Sequence, residues 1–239
     1  MNKHTPPKEG GSDATRSRIL GAALKLFRER GFDQTTMRQI ATESGMALGA
    51  AYYYFRSKEA LVMAFYERAQ EELKPRLLEA LGPKKIEHRL RNLLEVKFDY
   101  FQPYRSLLGA LSRHIDPQHP LSPFSEETRP IRERDMEFFA EAVEGAAVRV
   151  PPDLKPHLAR VLWLYQMGLL LFWVYDPSPN QVRTRELVDK SLAIVVTLIK
   201  LSGLPFLSPV RKRVVELVLT VSNDSVSIQK KEMGLTIEN

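Results

Sequence analysis

Gly45 stands between two short apolar patterns, and that punctuation constrains the fold more than any other feature of the chain. Met37, Ile40 and Ala41 fall on one helical face before it, and a second short segment, Ala47 to Tyr53, follows. Thr36 can cap the first helix through its side-chain oxygen, and glycine takes the left-handed backbone that a tight turn needs. Ser57 then caps a third helix opening with Lys58, Glu59, Ala60 and Leu61. Two short helices joined by a glycine turn make a helix-turn-helix, an arrangement whose second helix enters the major groove of DNA.

The same stretch resembles a known family. The tetracycline-repressor-like regulators carry a motif of the kind T-x-x-x-I-A-x-x-x-G-x-x-x-G-x-x-Y-x-Y-F-x-x-K-x-x-L. Here Thr36, Ile40, Ala41, Gly45, Gly49, Tyr52, Tyr54, Phe55, Lys58 and Leu61 match it in register. Upstream, Ile19, Leu20, Ala23, Leu24, Phe27, Gly31 and Phe32 resemble the family's first helix. The resemblance covers about the first quarter of the chain. It implies an all-α fold, with a helix-turn-helix DNA-binding domain followed by a larger helical domain for effector binding and dimerisation.

Charge agrees with a phosphate partner. Residues 1–58 hold ten Lys/Arg against five Asp/Glu, so nearly all of the +6 net charge sits there. A solvated basic face would account for the charge but not for the motif. Zero cysteines exclude disulfides and cysteine-ligated metal, and they fit a reducing, cytoplasmic setting. The N-terminal stretch lacks an apolar core, so no secretory signal is expected. The longest nearly apolar run, Val161 to Tyr175, is shorter than the roughly 20 residues that span a bilayer, so a buried core helix and no membrane partner are expected.

Strand signals are scarce and helical periodicity recurs along the whole chain. The expected layout is a disordered arm over 1–13, the DNA-binding domain over 14–58, a helical domain over 59–221 and a polar, disordered tail over 222–239. Helices are expected at 14–30, 36–43, 47–53, 57–81, onward to Gln102, around Leu107 to Ile115, then at 125–148, 152–175, 180–202 and 206–221. Gly82-Pro83 and Asp176-Pro177-Ser178-Pro179 break the pattern.

The expected DNA-facing residues are Thr36, Arg38, Ala47, Leu48, Ala50, Tyr52, Tyr53 and Lys58. Thr36, the two tyrosine hydroxyls and Lys58 suit phosphate, and Arg38 suits phosphate or a base edge. Tyr54 and Phe55 read better as packing. The second helix departs from the family, because Ala47, Leu48 and Ala50 stand where many relatives carry Ser, Lys and Thr. Such side chains cannot hydrogen-bond a base, though they can touch a thymine methyl. Ala47 also offers no side-chain cap.

Farther on, aromatics crowd Phe98, Tyr100, Phe101 and Tyr104, and Trp163, Tyr165, Met167, Phe172, Trp173 and Tyr175 load one helix on all sides. Ordinary core is one reading. The other is an apolar effector pocket involving Phe98, Phe101, Tyr104, Trp163, Gln166, Met167 and Trp173. His114, Asp116 and His119 could suggest a metal, but a proline-rich loop commonly leaves such residues in solvent; no metal or cofactor is expected. No nucleophile motif, phosphate loop or carboxylate pair stands out, so no enzyme is expected. The leading expectation is a homodimeric transcriptional repressor, joined through residues 152–202 and released from its DNA operator by a hydrophobic small molecule. The alternative is a constitutive DNA-binding regulator whose C-terminal domain binds a protein.

Overall fold

A computed structural model describes residues 9–221; the expected tail and the first eight residues of the expected arm lie outside them. Every regular element among the described residues is helical: α1 (Glu9–Arg30), α2 (Met37–Glu43), α3 (Leu48–Tyr54), α4 (Lys58–Ala80), α5 (Ile86–Phe101), α6 (Arg105–Leu111), α7 (Arg129–Glu144), α8 (Lys155–Tyr175), α9 (Val182–Leu201) and α10 (Ser208–Val221). Residues 9–13 are therefore helical, where an arm was expected. They prolong α1 backwards from the apolar face that Ile19, Ala23 and Phe27 bury.

The chain divides into two compact units. The first takes the chain up to Leu77, Glu95–Arg134 and Leu171–Asp176; the second takes Leu78–Leu94, Asp135–Leu170 and the chain from Pro177. Neither follows the 58/59 boundary read from sequence, because long helices contribute to both.

In the first unit, α1 to α3 close around Ile19, Ala23, Phe27, Ile40, Ala41 and Ala51, with Leu61 and Phe65 of α4 in the same core. Burying each large aliphatic or aromatic side chain there is worth about 1.5–3 kcal/mol. Gly31, at φ 85°, ends α1 with its N–H on the Phe27 carbonyl, as a left-handed C-terminal glycine does. α4 runs through Pro75 without stopping, since Leu73 and Leu77 are buried on either side of it. The helix expected over 57–81 already ran through this proline.

The proline-rich loop after α6 leaves Asp116 exposed and His114 and His119 half-buried, and it also builds a small buried core of hydroxyls. Ser122, Ser125 and Thr128 are buried and bond the loop's own backbone: Thr128 Oγ1 donates to the Ser122 carbonyl at 2.6 Å and Ser122 Oγ to the Ile115 carbonyl at 2.9 Å. Those hydroxyl turns also delay α7 to Arg129, four residues later than periodicity suggested.

In the second unit, Tyr165 Oη and Ser191 Oγ lie 2.7 Å apart and tie α8 to α9. Arg89 of α5 is buried and donates to three carbonyls, those of Pro83 (3.0 Å), Glu141 (2.9 Å) and Gly145 (3.3 Å). A cation at the end of α7 opposes the partial negative charge of that helix terminus. A Cβ placed at Gly145 would run into the Arg89 guanidinium.

α8 corrects the sequence reading. With 21 residues it is long and apolar enough, by length and composition alone, to cross a membrane. Leu158, Leu162, Gln166, Leu169 and Trp173 form its buried stripe, at 4, 4, 3 and 4 residue intervals. Yet Leu171, Phe172 and Tyr175 are exposed, so the helix is not buried all round.

Candidate nucleic-acid interface

The head presents one face built from α2, α3 and their flanks. Thr36 caps α2 in an extended conformation: its side chain accepts from the Gln39 amide at 3.3 Å, while Gln39 Oε1 accepts from the Thr36 amide at 2.8 Å. That reciprocal pair is a capping box, worth about 1 kcal/mol to a helix of seven residues. Gln39 was not among the expected residues; the T-x-x-Q spacing was the signal that would have found it. Gly45, at φ 65°, makes the turn, and the Met46 amide donates back to the Ala41 carbonyl at 2.8 Å.

α3 begins at Leu48 after Ala47, which supplies no side-chain cap, as its chemistry required. Ala51 is fully buried and fixes the helix against α2. Thr36, Arg38, Ala47, Tyr52 and Tyr53 are solvent-exposed, Tyr53 most of all at 79 %. Ala50 is half-buried, and Leu48 packs partly against the core. Gly49 is exposed too, and a Cβ built on it would meet nothing. Its lack of a side chain therefore answers no need of the chain's own packing.

Lys58 is half-buried and occupied. Its Nζ donates to the Phe32 carbonyl at 2.7 Å and sits 4.4 Å from the Phe32 ring centre. The ammonium thus secures the α1–α2 connection, with further N–H capacity beyond that bond. Phe55 is buried beneath the Arg16 guanidinium, 5.1 Å from the ring, and Tyr54 packs on the same core. Both are packing residues, as expected.

The aromatic set is divided. Phe98, Phe101, Tyr104 and Trp173 belong to the first unit, where Phe98 and Trp173 lie 5.4 Å apart and Tyr104 lies 4.7 Å from Phe65. Phe98, Phe101 and Tyr104 are half-buried. Arg105 Nε donates to the Trp173 carbonyl at 2.9 Å and holds the end of α8 beside them. Trp163, Gln166 and Met167 belong to the second unit, where Gln166 is buried and donates to Asp135 at 2.7 Å. His114 and His119 stack ring on ring, 3.9 Å apart at 8°, rather than converging on a point a metal could occupy. His119 Nδ1 accepts from the Leu121 amide at 3.2 Å. Burial first, and His119 second, hold His114 below the ordinary imidazole value.

A capped short helix, a left-handed glycine turn and a second short helix with an exposed face define the helix-turn-helix class. Residues 19–65 match the bacterial regulatory proteins of the tetR family, and residues 89–218 match the tetracyclin repressor-like C-terminal domain. The chain belongs to the TetR family of transcriptional regulators. Among relatives, the HTH-type transcriptional regulator UidR of Escherichia coli K12 is 32% identical over 88 residues, covering 36% of this chain and 45% of UidR. The chain spans less than half the length of the first curated relatives it matches. A TetR-family regulator from Streptomyces coelicolor shares the fold with a TM-score of 0.60 at 20% identity, over 92% of this chain and 98% of that one. Thermus thermophilus FadR, a repressor solved with lauroyl-CoA, does so at 0.52 and 24%, over 74% and 93%.

Proposed function

We propose that the chain is a homodimeric, cytoplasmic repressor that binds a DNA operator through two helix-turn-helix heads and is released by a hydrophobic small molecule. One observation carries the DNA-binding part: Thr36, Arg38, Tyr52 and Tyr53 share an exposed polar face on the most basic stretch of the chain. Hydroxyls, a guanidinium and a helix start suit phosphate contact, which orients a protein without reading sequence. Ala47, Leu48, Ala50 and Lys58 complete the proposed interface, Lys58 through the N–H left beyond its bonds to the Phe32 and Asp33 carbonyls.

Two heads are needed because a single one reads few base pairs. The support for self-association is apolar surface without cover in one chain: Ile194 and Leu198, each 61 % exposed, with Leu201 on α9, and Leu171 and Phe172 on α8. The proposed effector contacts are the half-buried rings of Phe98, Phe101 and Tyr104, with the buried Trp173 beside Phe98 completing an apolar wall; Trp163, Gln166 and Met167 lie in the other unit and are left out of this reading. FadR's lauroyl-CoA gives that reading a chemical precedent in the same fold. Release follows only from a ligand that prefers one spacing of the heads, by about 1–3 kcal/mol.

The test is fluorescence anisotropy of labelled duplex DNA with lauroyl-CoA and a panel of uncharged aromatics, with tryptophan emission followed in parallel. Binding of duplex that a hydrophobic compound reverses is the expected result. DNA binding that no compound alters would favour the second reading, a constitutive regulator with a protein partner. The exposed stripe of Phe206, Val210, Val214 and Leu217 on and before α10 supports that one.

A further inference from the structure

The turn of α3 that should meet the bases carries no side chain able to make a hydrogen bond. Ala47 is exposed, Leu48 is half-buried against the core, Gly49 is exposed with open space above it, Ala50 is half-buried and Ala51 is buried. Not one side-chain nitrogen or oxygen occurs between Met46 and Tyr52. We infer that this helix reads pyrimidine 5-methyl groups in the major groove, thymine in ordinary DNA, without any side-chain hydrogen bond to a base. The inference rests on the DNA-binding reading above, which supplies the site; the carbon-only face supplies its chemistry.

Base pairs in the major groove differ in donors, acceptors and one apolar feature, the thymine methyl. An alanine methyl pressed against guanine O6 and N7, or against the cytosine amino group, strips water from them and returns nothing. Against a thymine methyl the same alanine removes apolar surface from water on both sides. Gly49 contributes by absence, since the helix backbone can approach the base edges without a Cβ in between. The first polar side chains beyond this turn, Tyr52 and Tyr53, then suit the backbone rather than the bases.

The experiment begins with full-length protein and a duplex library carrying a randomised central segment, enriched by repeated selection. The best duplex is remade with deoxyuridine at each thymidine in turn, which removes a methyl and nothing else. One or two thymines per half-site should then lose about three- to tenfold in affinity each. Replacing such a T·A pair by 5-methylcytosine·G should bind more tightly than replacing it by C·G, because only the former restores the methyl. Ala47→Gly keeps an acceptable N-cap residue, and at one of those thymines it should make the thymine and uracil duplexes bind equally. A selected duplex whose affinity no uracil alters overturns the inference and leaves DNA binding standing. A library from which nothing is enriched or retained, even at low salt, overturns the DNA-binding reading itself, and this one with it.

Discussion

The helix-turn-helix head and the α9–α10 end of the chain dispose of their apolar residues in opposite ways. In the head, Phe27, Ile40, Ala51 and Leu61 are essentially solvent-free, and outward positions hold Thr36, Arg38 and tyrosine hydroxyls. Along α9, α10 and the turn between them, Ile194, Leu198, Phe206 and Leu217 stand more than 60 % exposed. The head is complete as a folded object and shows its business in polar chemistry. The α9–α10 end leaves its carbon uncovered in the single chain. The two surfaces proposed to bind partners thus carry opposite signs within one molecule.

The strongest way to break that contrast is Ile40→Ala. Removing a fully buried side chain from so small a core should cost about 2–5 kcal/mol. Urea unfolding followed by circular dichroism should report it, DNA binding should fail, and the mass by light scattering should stay that of the parent. A mass that halved would show the two ends to be one cooperative object.

Next in size is the paired change Ile194→Glu with Leu198→Glu. As surface substitutions they should move chain stability by no more than about 0.5 kcal/mol each. Light scattering at micromolar protein should nevertheless fall from dimer to monomer mass, and operator affinity should fall by roughly 100-fold as the linked second head is lost. A parent protein already monomeric would end the two-headed proposal.

Lys58→Ala sharpens the contrast from within the head, because the ammonium is both a tie to Phe32 and a proposed phosphate contact. Affinity should drop for all duplexes alike and the salt slope should fall by about one. An unchanged slope with a lowered melting temperature would leave Lys58 with the structural role alone.

The smallest effect concerns pH. Burial and His119 depress the folded-state value of His114, so the unfolded chain takes up that proton at higher pH than the fold does. The stabilisation is present in full above about pH 6.5 and is lost as pH falls through the folded value. His114→Gln should therefore flatten the melting temperature between pH 7 and 5, measured by differential scanning fluorimetry, with little change at pH 8. A steeper profile in the variant would show the assigned direction to be wrong.

What was legible in the sequence was what short-range chemistry controls. α2 and α3 fall within a residue or so of their expected limits because Thr36, Gly45 and Ser57 act locally, through caps and one left-handed residue. α7 started late because Ser125 and Thr128 spend their hydroxyls on a turn, which periodicity does not register. The exposed side of α8 was illegible for a related reason: an apolar helix reads the same whether its own chain covers it or leaves it bare. On the exposed face of the head, what each side chain bonds to within the chain was not legible, and Lys58, tied to the Phe32 and Asp33 carbonyls, is the case in point.

The clasp between Arg89 and Gly145 sets a condition on how this sequence can drift. The two positions are 56 residues apart, yet the guanidinium fills the space any side chain at 145 would need. While Arg89 stands, substitution at Gly145 displaces it from three carbonyls at once. Once Arg89 has become a shorter residue, the space is free and position 145 is released. Loss of Arg89 strips those three carbonyls of its donors, and a side chain at 145 pushes the same guanidinium aside, so a change at either position sets what the other can tolerate.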